Sequence, residues 1–252
     1  MTIIAKNLCK TFDNGKTFAL DNVSIQIDSG EFIAIIGLSG AGKSTFLRTI
    51  NATCPPSSGE LQVLDFNINE IKGGKLVQLR KQIGFIFQQF NLIKNLSVIQ
   101  NVLMGRIAYI SLWRALTGLF PLSDKLLAKK ILDSVGLEGR YYDKARTLSG
   151  GQQQRVAIAR TLVQQPKIIL ADEPMASLDP RLAEHVISML TKINKEQKIT
   201  ILVNIHSLEL AKKYAHRLLG FRKGQLIFDG APENLSQEKI NAIYAIEQHT
   251  ME

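Results

Sequence analysis

The sequence predicts an α/β fold with a mostly parallel sheet. Residues 32–36 form a continuous apolar run, typical of a strand covered on both faces, and residues 83–87 form a second run. Strand and helix patterns then alternate from residue 167 to residue 215. Because such alternation places helices between successive strands, it favours parallel pairing.

The N-terminal part predicts a strand, a buried strand, a turn and a helix, in that order. Residues 23–27 alternate between apolar and polar, as in a half-buried strand. The buried strand ends at Gly37 in a glycine-rich turn, and a helical pattern covers residues 43–51. Two prolines and a glycine within residues 55–59 stop this helix.

The middle of the chain, from about residue 89 to residue 147, shows mainly helical patterns. We therefore predict an α/β core interrupted by a helical insertion at about 90–160. The elements predicted after it are strands at 167–171, 200–204, 218–222 and 225–229, and helices at 153–164, 180–195, 207–215 and 236–247.

Composition excludes several classes of protein. The chain has 252 residues and a formal charge of +9, with apolar and charged fractions near the globular average, which excludes disordered, collagen-like and disulfide-scaffold proteins. Its longest stretch without a charged residue, 82–93, is too short to span a bilayer. Residues 1–10 lack the pattern of a signal peptide. Cys9 and Cys54 have no metal or redox spacing, so we expect free thiols in the cytoplasm.

A glycine-rich motif follows the buried strand and opens a helix, which is the context expected of a phosphate-binding loop. Its glycines let backbone N–H groups converge on phosphate oxygens, and the helix N-terminus adds partial positive charge. We expect Lys43 to reach the β- and γ-phosphates and Ser44 to ligate Mg²⁺. The alternative is a glycine-rich turn without a ligand. The motif consists of Gly37, Leu38, Ser39, Gly40, Ala41, Gly42, Lys43 and Ser44.

Two adjacent carboxylates, Asp172 and Glu173, end the apolar strand 168–171. Ligands of parallel sheets bind at the carboxyl ends of strands, so we expect both acids to lie beside the phosphate loop. Asp172 would hold Mg²⁺ through its water shell, and Glu173 would orient or deprotonate the attacking water.

Residues 148–152, with the sequence Leu-Ser-Gly-Gly-Gln, allow two interpretations. Ser149 and Gln152 form an S-x-x-Q capping box for the following helix. Two glycines at a helix start also expose backbone N–H groups to an anion. Spacing alone does not show whether this second candidate phosphate site belongs to the same pocket as the phosphate loop.

Together these motifs resemble the ATP-binding subunit of ABC transporters, over about residues 1–232. The phosphate loop, residues 148–152 and the strand ending in Asp172-Glu173 occur in family order. Gln88 after an apolar strand, residues 177–179, and His206 after a further strand complete the set. The segment 175–179 reads Met-Ala-Ser-Leu-Asp, where Thr-Ser-Ala-Leu-Asp is more common.

The resemblance implies a role for each matching residue. Glu173 would be the catalytic base, His206 would contact the γ-phosphate, and Gln88 would sense Mg²⁺ and the attacking water. Without the resemblance, His206 would be interpreted as a core histidine whose hydrogen-bonding groups all have partners. Mg²⁺ would be held by Ser44, Gln88 and Asp172. The residues implied to bind ATP are Phe12 (stacked on adenine, where tyrosine is more usual), Gly37, Leu38, Ser39, Gly40, Ala41, Gly42, Lys43, Ser44 and Thr45.

The family also implies an assembly. Two copies would form a head-to-tail homodimer with Asp179 at the interface, bound to two transmembrane permease subunits and served by a separate substrate-binding protein, at the cytoplasmic face of the inner membrane. Nucleic acid is not an expected partner. The residues implied to close over the partner subunit's ATP are Ser149, Gly150, Gly151 and Gln152.

The insertion narrows the resemblance to phosphonate-import ATPases. Residues 90–93, 96–98 and 104–120 in the insertion, and residues 176–179 and 203–206 after it, resemble that subfamily. Phosphite or another small anion is the alternative substrate. Trp113, within 104–120, would either pack in the helical subdomain or lie on an apolar surface that receives a permease helix.

Two other classes remain for comparison. A soluble ABC ATPase of translation or DNA repair usually has two ATPase domains or a long coiled coil, and this chain has one phosphate loop and no sustained heptads. An export ATPase fits the motifs but fits residues 104–120 poorly.

We expect a single ABC ATPase domain with a P-loop NTPase core at about 1–89 and 161–232, an antiparallel β subdomain, the helical subdomain at about 90–160 and a helical extension at 233–252.

Overall fold

The computed structural model describes residues 2–176 and 178–245, except for the side chain of Asn14. The strands among these residues are β1 (Ile3–Phe12), β2 (Thr17–Ile27), β3 (Phe32–Ile36), β4 (Ser58–Val63), β5 (Phe66–Asn67), β6 (Ile83–Ile86), β7 (Ile168–Ala171), β8 (Thr200–Asn204), β9 (Arg217–Arg222) and β10 (Gln225–Gly230). The α-helices are α1 (Lys43–Ile50), α2 (Gly73–Gln82), α3 (Val98–Leu103), α4 (Leu112–Thr117), α5 (Leu122–Ser134), α6 (Gly150–Leu162), α7 (Pro180–Gln197), α8 (Leu208–Tyr214) and α9 (Gln237–Tyr244).

The predicted α/β alternation is confirmed, and β3 and β8 have the predicted bounds. Helix α6 begins three residues earlier than predicted, because the two glycines after Ser149 are helical. The predicted last helix, 236–247, is observed as α9, and residues 246 and 247 lie outside the described part of the chain.

Four elements, β1, β4, β5 and α2, were not predicted. The alternation of β1 is interrupted because Asn7 has φ +48° and the pairing with β2 shifts register between Ala5 and Leu8. Strand β5 has only two residues. Helix α2 buries only Leu79 and begins with two glycines, so its sequence has little helical periodicity.

One compact unit contains the described residues of 1–71 and 202–252. It has an antiparallel sheet with the strand order β2-β1-β4-β5, in agreement with the predicted antiparallel subdomain. Its other strands are ordered β10-β9-β3, followed by the residues of β8 from Leu202 onward. Strand β3 pairs in parallel with β9, and all five of its residues are buried.

The second compact unit contains residues 72–201 apart from Ser177, which is not described. Strand β6 pairs in parallel with β7, and helix α3 packs against α5 and α6. Arg106 Nε donates to Asp124 Oδ1 at 3.1 Å, and both side chains are largely buried. The boundary between the units falls inside β8, and the predicted division at residues 89, 160 and 232 stays a prediction.

No helix in residues 2–176 or 178–245 has both the length and the apolar character needed to span a membrane.

Candidate functional site

The turn after β3 requires glycine at two positions. Gly37 has φ +143°, and a Cβ there would lie 2.2 Å from the carbonyl oxygen of Phe221. Gly42 has φ +102°, and a Cβ would lie 2.3 Å from the carbonyl oxygen of Ala19. Both distances are far below van der Waals contact with backbone, which cannot move aside cheaply. The turn therefore depends on glycine for close approach as well as for conformation.

Lys43 lies inside this loop. It is the first residue of α1, it is 4% exposed, and its Nζ donates to the carbonyl oxygens of Gly37 and Leu38, both at 2.8 Å. An ammonium group beside a helix N-terminus is the arrangement that binds polyphosphate. The geometry fits the predicted phosphate loop.

The same unit places two other predicted residues at the ends of strands. Phe12 ends β1, is 43% exposed, and has Lys10 Nζ 5.4 Å from its ring centroid. His206 follows β8, and the Ile205 N–H donates to the Ile35 carbonyl at 3.0 Å. That bond brings the end of β8 next to the end of β3, so His206 and the phosphate loop follow neighbouring strands.

In the second unit, β6 and β7 bring Gln88 and the acidic pair to one edge. The Asp172 N–H donates to the Ile86 carbonyl at 2.9 Å, so the two strands end side by side. Asp172 is buried, at 7% exposure, whereas Gln88 is exposed. Glu173 is half-buried and has φ +49°, a conformation that a non-glycine residue rarely adopts and that often marks a functional site.

The Leu-Ser-Gly-Gly-Gln motif starts α6, and the predicted capping box is confirmed. Ser149 Oγ accepts from the Gln152 N–H at 3.4 Å, and Gln152 Oε1 accepts from the Ser149 N–H at 3.0 Å. A Cβ on Gly151 would approach the side chain of Leu182 to 3.2 Å. The start of α6 therefore lies against the start of α7.

Asp179 caps α7. Its Oδ1 accepts from the N–H groups of Arg181 and Leu182, at 3.1 and 3.0 Å. This structural role was not predicted from the sequence, although an Asp followed by Pro180 at the first helical position signals it. Its predicted place at a dimer interface stays a prediction.

The helical insertion presents an apolar surface. Trp113 is 73% exposed, so of the two interpretations of this residue, packing in the subdomain is wrong. Leu112, Leu116 and Leu122 are exposed to at least 70%. Beside them, a groove of about 670 Å³ is lined by residues that include Ile99, Leu103, Met104, Phe120, Leu126 and Tyr142. Apolar exposure on this scale is typical of an interaction surface.

The family resemblance implies only three protein oxygen donors for Mg²⁺, from Ser44, Gln88 and Asp172. The described residues contain no group of three or more His, Cys, Asp or Glu side chains placed to hold a metal ion. Mg²⁺ is usually bound by one or two protein oxygens together with waters and substrate phosphates. In the second unit the Gln88 amide oxygen and the Asp172 carboxylate are oxygen donors of this kind, and in the first unit the Ser44 hydroxyl is another.

Comparisons with known proteins agree with these features. A family model described as ABC transporter matches residues 20–176. The chain is 47% identical to a phosphonates import ATP-binding protein of Lactobacillus delbrueckii subsp. bulgaricus, over 95% of this chain and 93% of that protein. It is 48% identical to the protein of the same description in Shouchella clausii, over 95% and 90% of the two chains.

Solved structures also match. A dimeric ATP-binding cassette in a post-hydrolysis state, bound to ADP and Pi, aligns with a TM-score of 0.78 and 35% identity over 91% of this chain and 98% of that one. The cbiO1 protein of Clostridium perfringens, part of an ABC transporter complex, aligns with a TM-score of 0.82 and 29% identity over 96% and 93%. From motifs, fold and relatives together, the chain belongs to the ABC transporter family.

Proposed function

We propose that this protein is the ATP-binding and hydrolysing subunit of an ABC importer for phosphonates. ATP binding rests on one observation above the others, the glycine-dependent loop that encloses Lys43 at the start of α1. The assignment to phosphonate import rests on relatives of that description, which are similar over 95% of the chain. An importer for phosphite or another small anion is the alternative.

The residues divide the work of hydrolysis. Lys43 turns from the loop carbonyls toward the β- and γ-phosphates, and backbone N–H groups of the loop hold their oxygens. Glu173 takes a proton from water as the water attacks the γ-phosphorus, and the bond to the β,γ-bridging oxygen breaks to give ADP and phosphate. His206 contacts the γ-phosphate. Ser44, Gln88 and Asp172 would hold Mg²⁺, which would neutralise charge on the phosphates when bound.

Two copies act together in this proposal. The start of α6 supports it, because Ser149 and Gly150 are exposed at a helix N-terminus that is already capped internally and is free to face an anion on another subunit. In the head-to-tail dimer, Ser149, Gly150, Gly151 and Gln152 close over the ATP of the partner, and Asp179 lies at the interface. A dimeric relative bound to ADP and Pi supports this arrangement.

The apolar surface of the helical insertion is the proposed docking site of the permease. Its groove, with Trp113 and its leucine neighbours on the rim, suits a short amphipathic helix from the cytoplasmic side of a membrane subunit. Two permease subunits would then hold the dimer at the cytoplasmic face of the inner membrane, and a separate binding protein would deliver substrate.

Growth on a phosphonate as sole phosphorus source tests the function. A strain without the gene should fail to grow on the phosphonate, should grow on phosphate, and should recover with the wild-type gene but not with the Lys43→Ala gene. A phosphite culture in parallel separates the alternative. Normal growth of the deletion strain on the phosphonate would contradict the proposed substrate class.

A further inference from the structure

Helix α6 begins at the Leu-Ser-Gly-Gly-Gln motif. Side chains at its end and just beyond it form hydrogen bonds to the backbone of the strand that leads into Gln88. Gln164, two residues beyond α6, donates from Nε2 to the carbonyls of Lys81 and Ile83, at 3.1 and 2.9 Å. Thr161 Oγ1 lies 3.4 Å from the Phe85 carbonyl. These bonds cover β6 from its start almost to its end.

Arg160 continues the series past the strand and into the loop that contains Gln88. Its Nη1 donates to the Asn91 carbonyl at 2.6 Å, and its Nη2 donates to the Phe90 carbonyl at 2.9 Å. Asn91 has φ +49°, a left-handed conformation that asparagine tolerates. The chain therefore turns at the residue whose carbonyl accepts from the guanidinium. The planar guanidinium fixes two adjacent carbonyls at once.

Arg160 is partly buried, and its surroundings determine which groups its guanidinium can bind. Burial lowers the pKa of its guanidinium. Among the residues that the structure describes, no carboxylate lies within ion-pair distance of it, so the two loop carbonyls are its polar partners. Since burial removes water from this guanidinium, the two carbonyls replace hydrogen bonds that solvent would otherwise make. The loop and the helix therefore stabilise each other's positions.

We propose that Arg160 is a positioning residue that couples the Gln88 loop to the helix carrying Ser149. The inference rests on the proposed function. Holding Phe90 and Asn91 sets where Gln88 lies, and the same contact transmits a displacement of the loop to α6. Ten residues of helix, about 15 Å, separate Arg160 from the start of α6, where the partner's ATP is proposed to bind.

The test compares Arg160→Met with Arg155→Met. Both arginines are on α6 and half-buried, and no hydrogen bond joins Arg155 to another described residue, so it is a matched control. In the Arg160→Met protein we expect the Kd and KM for ATP to stay within about twofold, while kcat falls by about 10- to 100-fold because a catalytic group is misplaced. Hydrogen exchange should accelerate in peptides covering residues 87–95. The Arg155→Met protein should match wild type in each measurement.

A double-mutant cycle with Gln88→Ala identifies the route of the effect. If Arg160 acts through Gln88, then Arg160→Met lowers kcat no further in the Gln88→Ala background. Multiplied effects on kcat, unchanged loop exchange, or a kcat equal to wild type would each overturn the inference. A wild-type protein that does not hydrolyse ATP would instead contradict the proposed function, so the two failures are distinguishable.

Discussion

The phosphate loop and the helical segment 104–122 differ in what determines their structure. The loop is constrained from inside its own unit, since backbone atoms of Phe221 and Ala19 leave no space for a Cβ on Gly37 or Gly42. The helical segment instead exposes large apolar side chains, including Trp113 at 73%. The conformation of the loop is therefore determined within one chain, whereas exposed apolar side chains in such number are typical of an interaction surface.

Lys43→Ala should have the largest effect, because it removes the ammonium group enclosed by the loop while leaving the glycine turn in place. We expect nucleotide affinity to fall by more than about 100-fold, since a buried cation contributes several kcal/mol to binding a polyphosphate. Titration with a fluorescent ATP analogue measures this. Normal affinity in the variant would show that the loop is not the phosphate site.

Glu173→Gln separates chemistry from binding. The amide cannot take a proton from water, so turnover should fall by at least about 100-fold while ATP binding is retained. Size-exclusion chromatography with ATP should show an accumulated dimer, because ATP is bound and not consumed. Unchanged turnover would remove Glu173 from the role of catalytic base.

Asp124→Asn tests the internal support of the helical insertion. Asp124 and Arg106 form a largely buried ion pair, so removing one charge should lower the free energy of unfolding by about 2 to 4 kcal/mol. Urea denaturation measures the change. The matched control is Asp143→Asn, whose pair with Arg140 is exposed and should contribute less than about 1 kcal/mol. Equal losses would contradict the distinction between the two pairs.

Trp113→Ser should have the smallest effect on the isolated protein. Because the indole is mostly exposed, we expect the melting temperature and the ATPase rate to stay at wild-type values. Complementation of growth on a phosphonate should weaken, since tryptophan is a frequent anchor of interfaces. Phe120→Ser is the contrast, because Phe120 is 8% exposed and its loss should destabilise the fold. Full complementation by Trp113→Ser would exclude this residue from the permease contact.

Sequence reasoning was most successful where a local rule determines the outcome. The capping box of Ser149 and Gln152 and the strand bounds of β3 follow from short patterns. It failed for β1, whose alternation is broken at Asn7, and for α2, whose apolar periodicity is weak. The Asp-Pro sequence at 179–180 also signals the cap made by Asp179, whereas the family resemblance implies only an interface role for this residue.

The sequence by itself determined the α/β class, the phosphate loop and the order of the family motifs, because these depend on residue types at fixed local spacing. Only the tertiary structure decided that Trp113 is exposed, that Asp172 is buried, and that Arg160 grips the carbonyls of the Gln88 loop. Those facts depend on contacts between residues distant in the chain, 69 and 70 positions apart for Arg160, and no local pattern records such contacts.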